Sequence, residues 1–491
     1  MTFSSLSYHN LTSYKRHGIS PHFLDWGNQP QVFKKYDGID PLDLPRNIAV
    51  GDIALSRVLK KGPEMPDTTE LTLATLSSIL LLTCTITALA MHSGTPFYFR
   101  SVASAGALYP FELYVLTQGT KGLNDALYHY STKRHALSPL REVVASARNS
   151  SLDFFLSSIF FRSSWKYRDR AYRYCLLDTG HLLENLVLSL RAHGLVLRST
   201  YDFDDSLTNT FLGLDSFREV CLAVCCIGNE HDPCPALPTE EKWGTLPDRV
   251  KEASVVSTRE VKYDTIVTMH QASSALNPGP SQGIRMDELL GVRANTVVEI
   301  PQVQGWADKM PYPEIVFSRR SQRNFVPHPM SQHQLESIMD GLCSDPMPAG
   351  NLWPISTGLL IANSEGYDSG FYLLDRQSRK LALIREGNFQ RDMARICLDQ
   401  AWLANAAAQV LFLSNLEALD NTLGPRGYRH AMLEAGRSGQ LLYLIATSLG
   451  LGCCGIGAFY DEEAARLLGL NQSSRLLYLV ALGPVKRVLG D

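Results

Sequence analysis

The sequence predicts an α+β fold, arranged as two tandem domains of similar make-up, and three observations predict it. A pair of short motifs occurs twice in the same order. SAGALYP (104–110) precedes AYRYCLLDTGHLLENL (171–186), and PAGNLWP (348–354) precedes GYRHAMLEAGRSGQLL (427–442). Their spacing is too long for a solenoid repeat and is that of a duplicated domain. Each half mixes helical apolar periodicity with short β-rich runs. The 491 residues, 45% apolar and 19% charged, suffice for two cores in domains of about 200 residues each. Two such domains can face each other as an intrachain pseudo-dimer, in which a shared site needs only one working copy of each part.

Taken in order, residues 1–50 are rich in His, Tyr, Pro and Asp with weak periodicity, and read as an irregular N-terminal arm. The first domain spans 51–230, with helical patterns at 71–90 and 173–194 and strand-like runs at 112–117 and 219–227. The stretch 71–90 is almost uncharged and about long enough to span a bilayer. Its Ser and Thr content, and Asp67 and Glu70 placed like a helix start, make it a buried core helix instead. Residues 231–304, rich in Pro, Ser and Gly, form a connector with helical content near 285–290. The second domain spans 305–491, with helices at 331–342, 389–408 and 429–450 and strands at 358–362, 371–374, 409–414 and 476–482.

Composition narrows the function classes. A net charge of −3 gives no basis for nucleic-acid or anionic-membrane binding. Ten cysteines without a CxxC pair form neither a disulfide framework nor a zinc site, so no metal is expected. The pairs Cys225–Cys226 and Cys453–Cys454 sit in apolar runs and read as buried thiols. The N-terminus carries no signal-peptide pattern, which makes the cytoplasm the expected location.

Four clusters carry chemistry. In FSRRSQRNF (317–325), Arg319, Ser321 and Arg323 alternate; two guanidinium forks and a hydroxyl suit a phosphate, and the same letters suit a solvated basic turn. GLGCCGIGAFYDEEAARLLGL (450–470) is a glycine-rich loop running into a helix that starts at Asp461, Glu462 and Glu463. Gly455, Ile456 and Gly457 give backbone room and N–H groups for a flat ligand, or form an ordinary turn. Lys486 and Arg487 near the end suit the same phosphate or a charged tail. In SSWKYRDRAYRY (163–174), Lys166 stands beside Tyr167 among arginines; neighbouring cations favour a phenolate able to act as a base, and a basic aromatic surface stripe is the alternative. His181 and Asn185, one turn apart on a helix, read as structural polar residues.

Together these residues resemble the nitroreductase-like flavoproteins, and more closely the SagB/ThcOx-type azoline dehydrogenases. Arg319-x-Ser321-x-Arg323-x-Phe325, PAGNLWP and GLGCCGIGAF are similar to the superfamily's FMN motifs. SYHNLTSYKRHG (7–18), RSVASAGALYPFELY (100–114) and KYRDRAYRYCLLDTGH (166–181) are similar to the azoline-dehydrogenase subfamily. The resemblance implies an α+β fold, FMN at a two-domain interface, and oxidation of peptide thiazolines or oxazolines to azoles. Lys166–Tyr167 would be the catalytic element. The partners it implies are a precursor peptide and a cyclodehydratase, since no separate peptide-binding domain is evident.

Each half departs from the pattern. The first reads LKKGPEM (59–65), with Lys60 and Lys61, in place of Arg-x-Ser-x-Arg, and GLVLRSTYDF (194–203) in place of the glycine loop. The second aligns Thr422–Leu423 with Lys166–Tyr167. By analogy with dimeric relatives, one composite FMN site is expected per chain. Arg319, Ser321, Arg323, Gly455, Ile456, Gly457, Lys486 and Arg487 would come from the second half, and Ser104, Ala105, Gly106, Ala107, Lys166 and Tyr167 from the first. The alternatives are an NAD(P)H-dependent nitro or quinone reductase and a degenerate peptide-binding scaffold. A monomer with internal pseudo-symmetry and a higher homo-oligomer both fit.

Overall fold

The computed structural model describes residues 3–18, 23–59, 71–92, 94–144, 151–228, 234, 237–276, 284–344 and 352–486. Lys60, Lys61, Asp67, Glu70, the first four residues of PAGNLWP and Arg487 lie outside them. The chain forms two compact units. The first-half unit comprises Phe23–Ile53 with Lys61–Leu276; the second-half unit comprises Met1–His22, Ala54–Lys60 and Asn277–Asp491.

Both units repeat one topology. Among the described residues the first-half sheet has seven strands, in the spatial order Leu42–Asp43, Ala136–Glu142, Ala126–Ser131, Phe111–Gln118, Ser151–Ile159, Glu219–Ile227 and Leu197–Thr200. The second-half sheet also has seven: Thr296–Glu299, Lys380–Glu386, Gly370–Asp375, Ser356–Ile361, Ala408–Asn415, Ser474–Gly483 and Gly452–Ile456. The two lists match strand for strand in chain order, and neighbours in both pair antiparallel.

The helical layer repeats as well. In the first half the helix Phe160–Tyr167 turns through a short 3-10 segment, Arg168–Arg170, into the 22-residue helix Ala171–Ala192. In the second, Leu416–Leu423 turns through Gly424–Arg426 into the 22-residue helix Gly427–Ser448. The residue after each short helix has positive φ, Arg168 at 50° and Gly424 at 62°. Both long helices are buried nearly all round, which removes an amphipathic signature and marks them as central core elements. Arg170, Arg173, Arg426 and Arg429, shared between the repeats, are almost wholly buried.

The structure corrects several sequence expectations. The helix expected over 71–90 spans only Leu73–Thr83; Ile86–His92 is a strand paired with Thr95–Arg100. Thr72 caps the start through Thr75 N, and the β-branched run Thr83, Thr85, Ile86 and Thr87 favours strand once the helix ends at the extended Cys84. The helix expected over 389–408 ends at Ile396, because Leu398 and Asp399 adopt φ of 58° and 56°; a 3-10 segment Ala401–Asn405 follows and the chain enters a strand at Ala408. The glycine-rich stretch is not a loop throughout. Gly450, at φ 68°, terminates the long helix, and Gly452–Ile456 is an edge strand. The N-terminal segment is not irregular throughout: Ser5–Leu11 is a helix, capped by Ser4.

The first-half core holds buried charge. Arg162, on the helix Phe160–Tyr167, bonds the Glu112 carboxylate at 2.7 Å, and Nε2 of His129 lies 2.9 Å from the same carboxylate. Beside them Lys34 pairs with Glu219, which also accepts hydrogen bonds from Tyr114 at 2.8 Å and Ser157 at 2.6 Å. Burial alone would raise the Glu112 carboxyl; Arg162 and His129 outweigh it and hold it down at about 2. No helix among the described residues is long and apolar enough to cross a membrane.

Because the Glu112 carboxyl titrates lower folded than unfolded, its contribution is present above pH 4.5 and lost as pH falls through about 2. Glu112→Gln leaves Arg162 buried without its charge partner and should cost about 3–5 kcal/mol at neutral pH. It should also flatten the acid limb between those pH values, as followed by thermal unfolding against pH.

Candidate functional site

In the first-half unit the sequence-predicted residues converge. Ser104 leads into a tight turn, Ala105–Ala107, in which Gly106 and Ala107 have φ of 65° and 53°, with Tyr109 at 46° shortly after. Gly106 is exposed. A Cβ placed on it would lie 2.9 Å from the Tyr167 hydroxyl and 3.2 Å from Lys166 Nζ. Both ends of the pair thus lean over one bare stretch of backbone. A glycine suits that position both for its left-handed φ and for the clearance. Lys166 Nζ lies 5.4 Å from the Tyr167 ring centre, and the Tyr167 ring packs on Tyr174 at 4.3 Å.

The helix that carries the pair is held from its buried side. Arg162 bonds Glu112, and also donates to Tyr109 O at 3.0 Å and Gln31 O at 2.8 Å. Trp165 Nε1 donates to Asp25 O at 3.0 Å. One guanidinium therefore links the helix, the sheet and the end of the Gly106 turn. Asp178, on the following long helix, accepts from Ser104 Oγ at 2.5 Å and from Ala105 N at 3.2 Å, while Ser104 Oγ accepts from Tyr109 N at 2.9 Å. Burial pushes the Asp178 carboxyl up to about 7, against the opposing pull of these two donors.

In the second-half unit a different set comes together, around Tyr443. Its buried hydroxyl receives the Gly455 N–H at 2.7 Å and lies 2.9 Å from Ser321 Oγ; the Arg319 guanidinium sits 5.2 Å from its ring centre. Arg323 lies 5.7 Å from the Trp402 ring centre and interacts with the Cys454 thiol, as does Tyr443. Burial raises the Tyr443 and Cys454 groups, so both are neutral at physiological pH. Arg319 is buried, whereas Ser321 and Arg323 are exposed. The tail runs alongside: Lys486 N donates to Asn324 O at 3.0 Å and Asn324 Nδ2 to Lys486 O at 2.8 Å, which sets Lys486 next to Arg323 in the chain pairing.

Two features differ from expectation. The Gly455 N–H is not free for a ligand, since Tyr443 takes it. Clearance at the strand glycines serves the protein's own packing, because a Cβ would fall 1.8 Å from the Tyr478 hydroxyl at Gly455 and 2.1 Å from Val485 Cγ1 at Gly452. Ile456 is buried and Gly457 half-buried beside them. The alternating donors Arg319, Ser321 and Arg323, with two of the three at the surface, nonetheless fit a phosphate group such as that of FMN.

Sequence reading missed Asp178, Tyr443, and the Glu112–Arg162 pair. Each has a telling counterpart at the equivalent place in the other repeat. Glu112 and Arg162 correspond to Ser356 and Ala418, and Tyr443 to Val187. Lys166–Tyr167 and Thr422–Leu423 both end an eight-residue helix before the 3-10 turn. The only available signal was that asymmetry between repeats.

Comparison with known proteins agrees with this architecture. The profile of the nitroreductase family matches residues 67–229 and again 316–484. The crystal structure of a protein from Anabaena variabilis, assigned provisionally as a nitroreductase, superposes with a TM-score of 0.76 at 26% identity, over 98% of this chain and 100% of that one. The trifolitoxin-processing protein TfxB of Rhizobium leguminosarum bv. trifolii is 29% identical over 153 residues, which is 27% of this chain and 41% of that protein. The microcin B17-processing protein McbC of Escherichia coli is 30% identical over 154 residues, 27% of this chain and 55% of that protein. Both alignments thus span less than two thirds of the processing protein's own length.

Tyr443→Phe removes the acceptor of the half-buried Gly455 N–H and should destabilise the protein by about 1 kcal/mol, measured as a fall in denaturant midpoint. Gly106→Ala should cost about 1–2 kcal/mol for the left-handed φ and displace the Tyr167 hydroxyl, which a crystal structure of the variant would reveal.

Proposed function

The chain belongs to the nitroreductase family, and from that premise we propose that it is an FMN-dependent dehydrogenase that oxidises thiazoline or oxazoline rings of a peptide to azoles. The observation that carries the reading is the convergence of Lys166 Nζ and the Tyr167 hydroxyl on the exposed Gly106 turn. Similarity to two proteins that process trifolitoxin and microcin B17 supports a peptide substrate. A precursor peptide and a cyclodehydratase that makes its azolines are the partners this reading implies.

Aromatising an azoline removes a hydride and a proton from the ring. Bound FMN would supply the hydride acceptor; its regeneration requires oxygen or another electron acceptor. Tyr167, as phenolate, takes the proton from the ring carbon, and the Lys166 ammonium stabilises that phenolate before transfer. The exposed turn at Gly106 carries no side chain that would cover the phenol oxygen or the ammonium. Arg319, Ser321 and Arg323 would hold the FMN phosphate, with Lys486 and Arg487 as further cations. Only the second half carries this donor set and only the first carries the Lys–Tyr pair, so one FMN per chain is expected.

The test is incubation of the purified holoprotein with an azoline-bearing peptide. A loss of two mass units per ring supports the reading. NADPH-driven quinone or nitroarene reduction with no mass change in the peptide would replace it with the reductase chemistry common in the family. Lys166→Ala and Tyr167→Phe should each lower turnover at least about a hundredfold while retaining flavin by absorbance. Arg323→Ala should instead lose flavin on gel filtration. Two tightly held FMN per chain would overturn the stoichiometry.

A further inference from the structure

The Gly106 turn is an improbable piece of backbone. Ala107 and Tyr109 are non-glycine residues with φ of 53° and 46°, and Gly106 between Ala105 and Ala107 has φ 65°. Such conformations cost on the order of 1–2 kcal/mol each for a residue with a Cβ and persist only where neighbours over-determine them. The turn lacks any cap from its own side chains except through Ser104. At its front the turn is restrained from outside, by a carboxylate on the long helix Ala171–Ala192.

We propose that Asp178 is a positioning residue that clamps the 104–109 turn in its left-handed form directly beneath Lys166 and Tyr167. Its carboxylate receives Ser104 Oγ and Ala105 N–H at the front of the turn, and Ser104 Oγ passes the restraint to Tyr109 N at the back. The helix Phe160–Tyr167 meets the helix Ala171–Ala192 across the kink at Arg168 and the 3-10 segment, so Asp178 and the Lys–Tyr pair sit on adjoining elements. Anchoring the turn to these elements fixes the distance between Gly106 and the two side chains over it. Arg162, through Tyr109 O, supplies the second anchor at the far end of the turn.

Asp178 is the eighth residue of its long helix, and the eighth residue of the second long helix is Glu434. Glu434 accepts from Arg437, one turn along its own helix, at 3.1 and 3.3 Å. Burial disfavours the charged form of Asp178, and the Ser104 and Ala105 donors oppose that shift.

The inference rests on the proposed reaction for its catalytic consequence, but the clamp itself can be measured without substrate. Hydrogen–deuterium exchange on the full-length holoprotein should show amides 104–109 of Asp178→Ala exchanging about tenfold to a hundredfold faster. The strands Phe111–Gln118 and Ser151–Ile159 should exchange as in wild type. Ser104→Ala should reproduce the effect, Asp178→Asn should fall between, and Glu434→Gln should leave the turn unchanged. With an azoline peptide, Asp178→Ala should lower kcat while KM and flavin content stay near wild type. Unchanged exchange in the turn overturns the clamp; so does acceleration spread evenly over the unit, which is plain loss of stability. If exchange rises locally and no variant, wild type included, oxidises the peptide, the clamp stands and the proposed reaction fails.

Discussion

The first half depends on the buried pair between Glu112 and Arg162. A helix of eight residues is too short to hold its own geometry in water, and the one that ends in Lys166–Tyr167 is no exception. It stays in place because a guanidinium with no exposed surface is committed to a carboxylate on the central strand, to Tyr109 O and to Gln31 O. Dehydrating two charges is costly, and an apolar pair would have packed as well. An apolar contact, however, tolerates rotation and sliding. A bidentate or branched set of charged hydrogen bonds fixes the helix in register with the sheet and with the turn at Gly106.

The second repeat shows what the same scaffold does without that constraint. Ser356 and Ala418 stand where the ion pair would be, and the short helix ends in Thr422–Leu423. Its polar investment lies instead around Tyr443, whose hydroxyl joins Ser321 to the strand residue Gly455. The first repeat has Val187 at that place and Ser199 where Gly455 stands. Strand order, long helix and buried arginines are kept in both halves, since they carry the core. The specialised hydrogen bonds are not, and each half has kept a different set. Duplication permits this, since two copies of one scaffold need not carry the same hydrogen bonds.

This history also decides what the sequence could disclose. The duplicated fold was legible because its signals are local and redundant: two copies of one motif order, apolar runs of the right length, Gly-rich punctuation. Lys166–Tyr167 and Arg319-x-Ser321-x-Arg323 were legible because adjacent or alternating letters carry them. Asp178 lies inside a motif that was read and still gave no sign of its role, because its partners are some seventy residues away in the chain. Tyr443 is one aromatic in an apolar helix until the fold brings Ser321 and Gly455 to its hydroxyl. The helix over 71–90 was overextended for a related reason. Hydropathy continues unchanged through Thr83 into the strand at Ile86, and only the β-branched residues mark the change. The glycines at 452 and 455 suggested ligand approach, where the structure uses their clearance for Val485 and Tyr478.

A division of labour between local letters and distant partners has a physical basis. Groups that meet a ligand can be neighbours in sequence, because a turn or a helix end presents consecutive residues to solvent. Groups that hold those elements in place must come from other elements, since a segment cannot brace itself against its own motion. The first-half unit illustrates the second. Lys166 and Tyr167 are consecutive, and the turn they overhang, Ala105–Ala107, is short, yet its anchors are Asp178 on one helix and Arg162 on another. Both anchors are ionisable and buried, so each is expensive in isolation and stable only with its partners present. The two networks act together with the Tyr109 hydroxyl, which donates to Tyr98 O at 3.0 Å and accepts from Arg100 N at 3.2 Å, so the loss of one anchor loosens the turn by degrees.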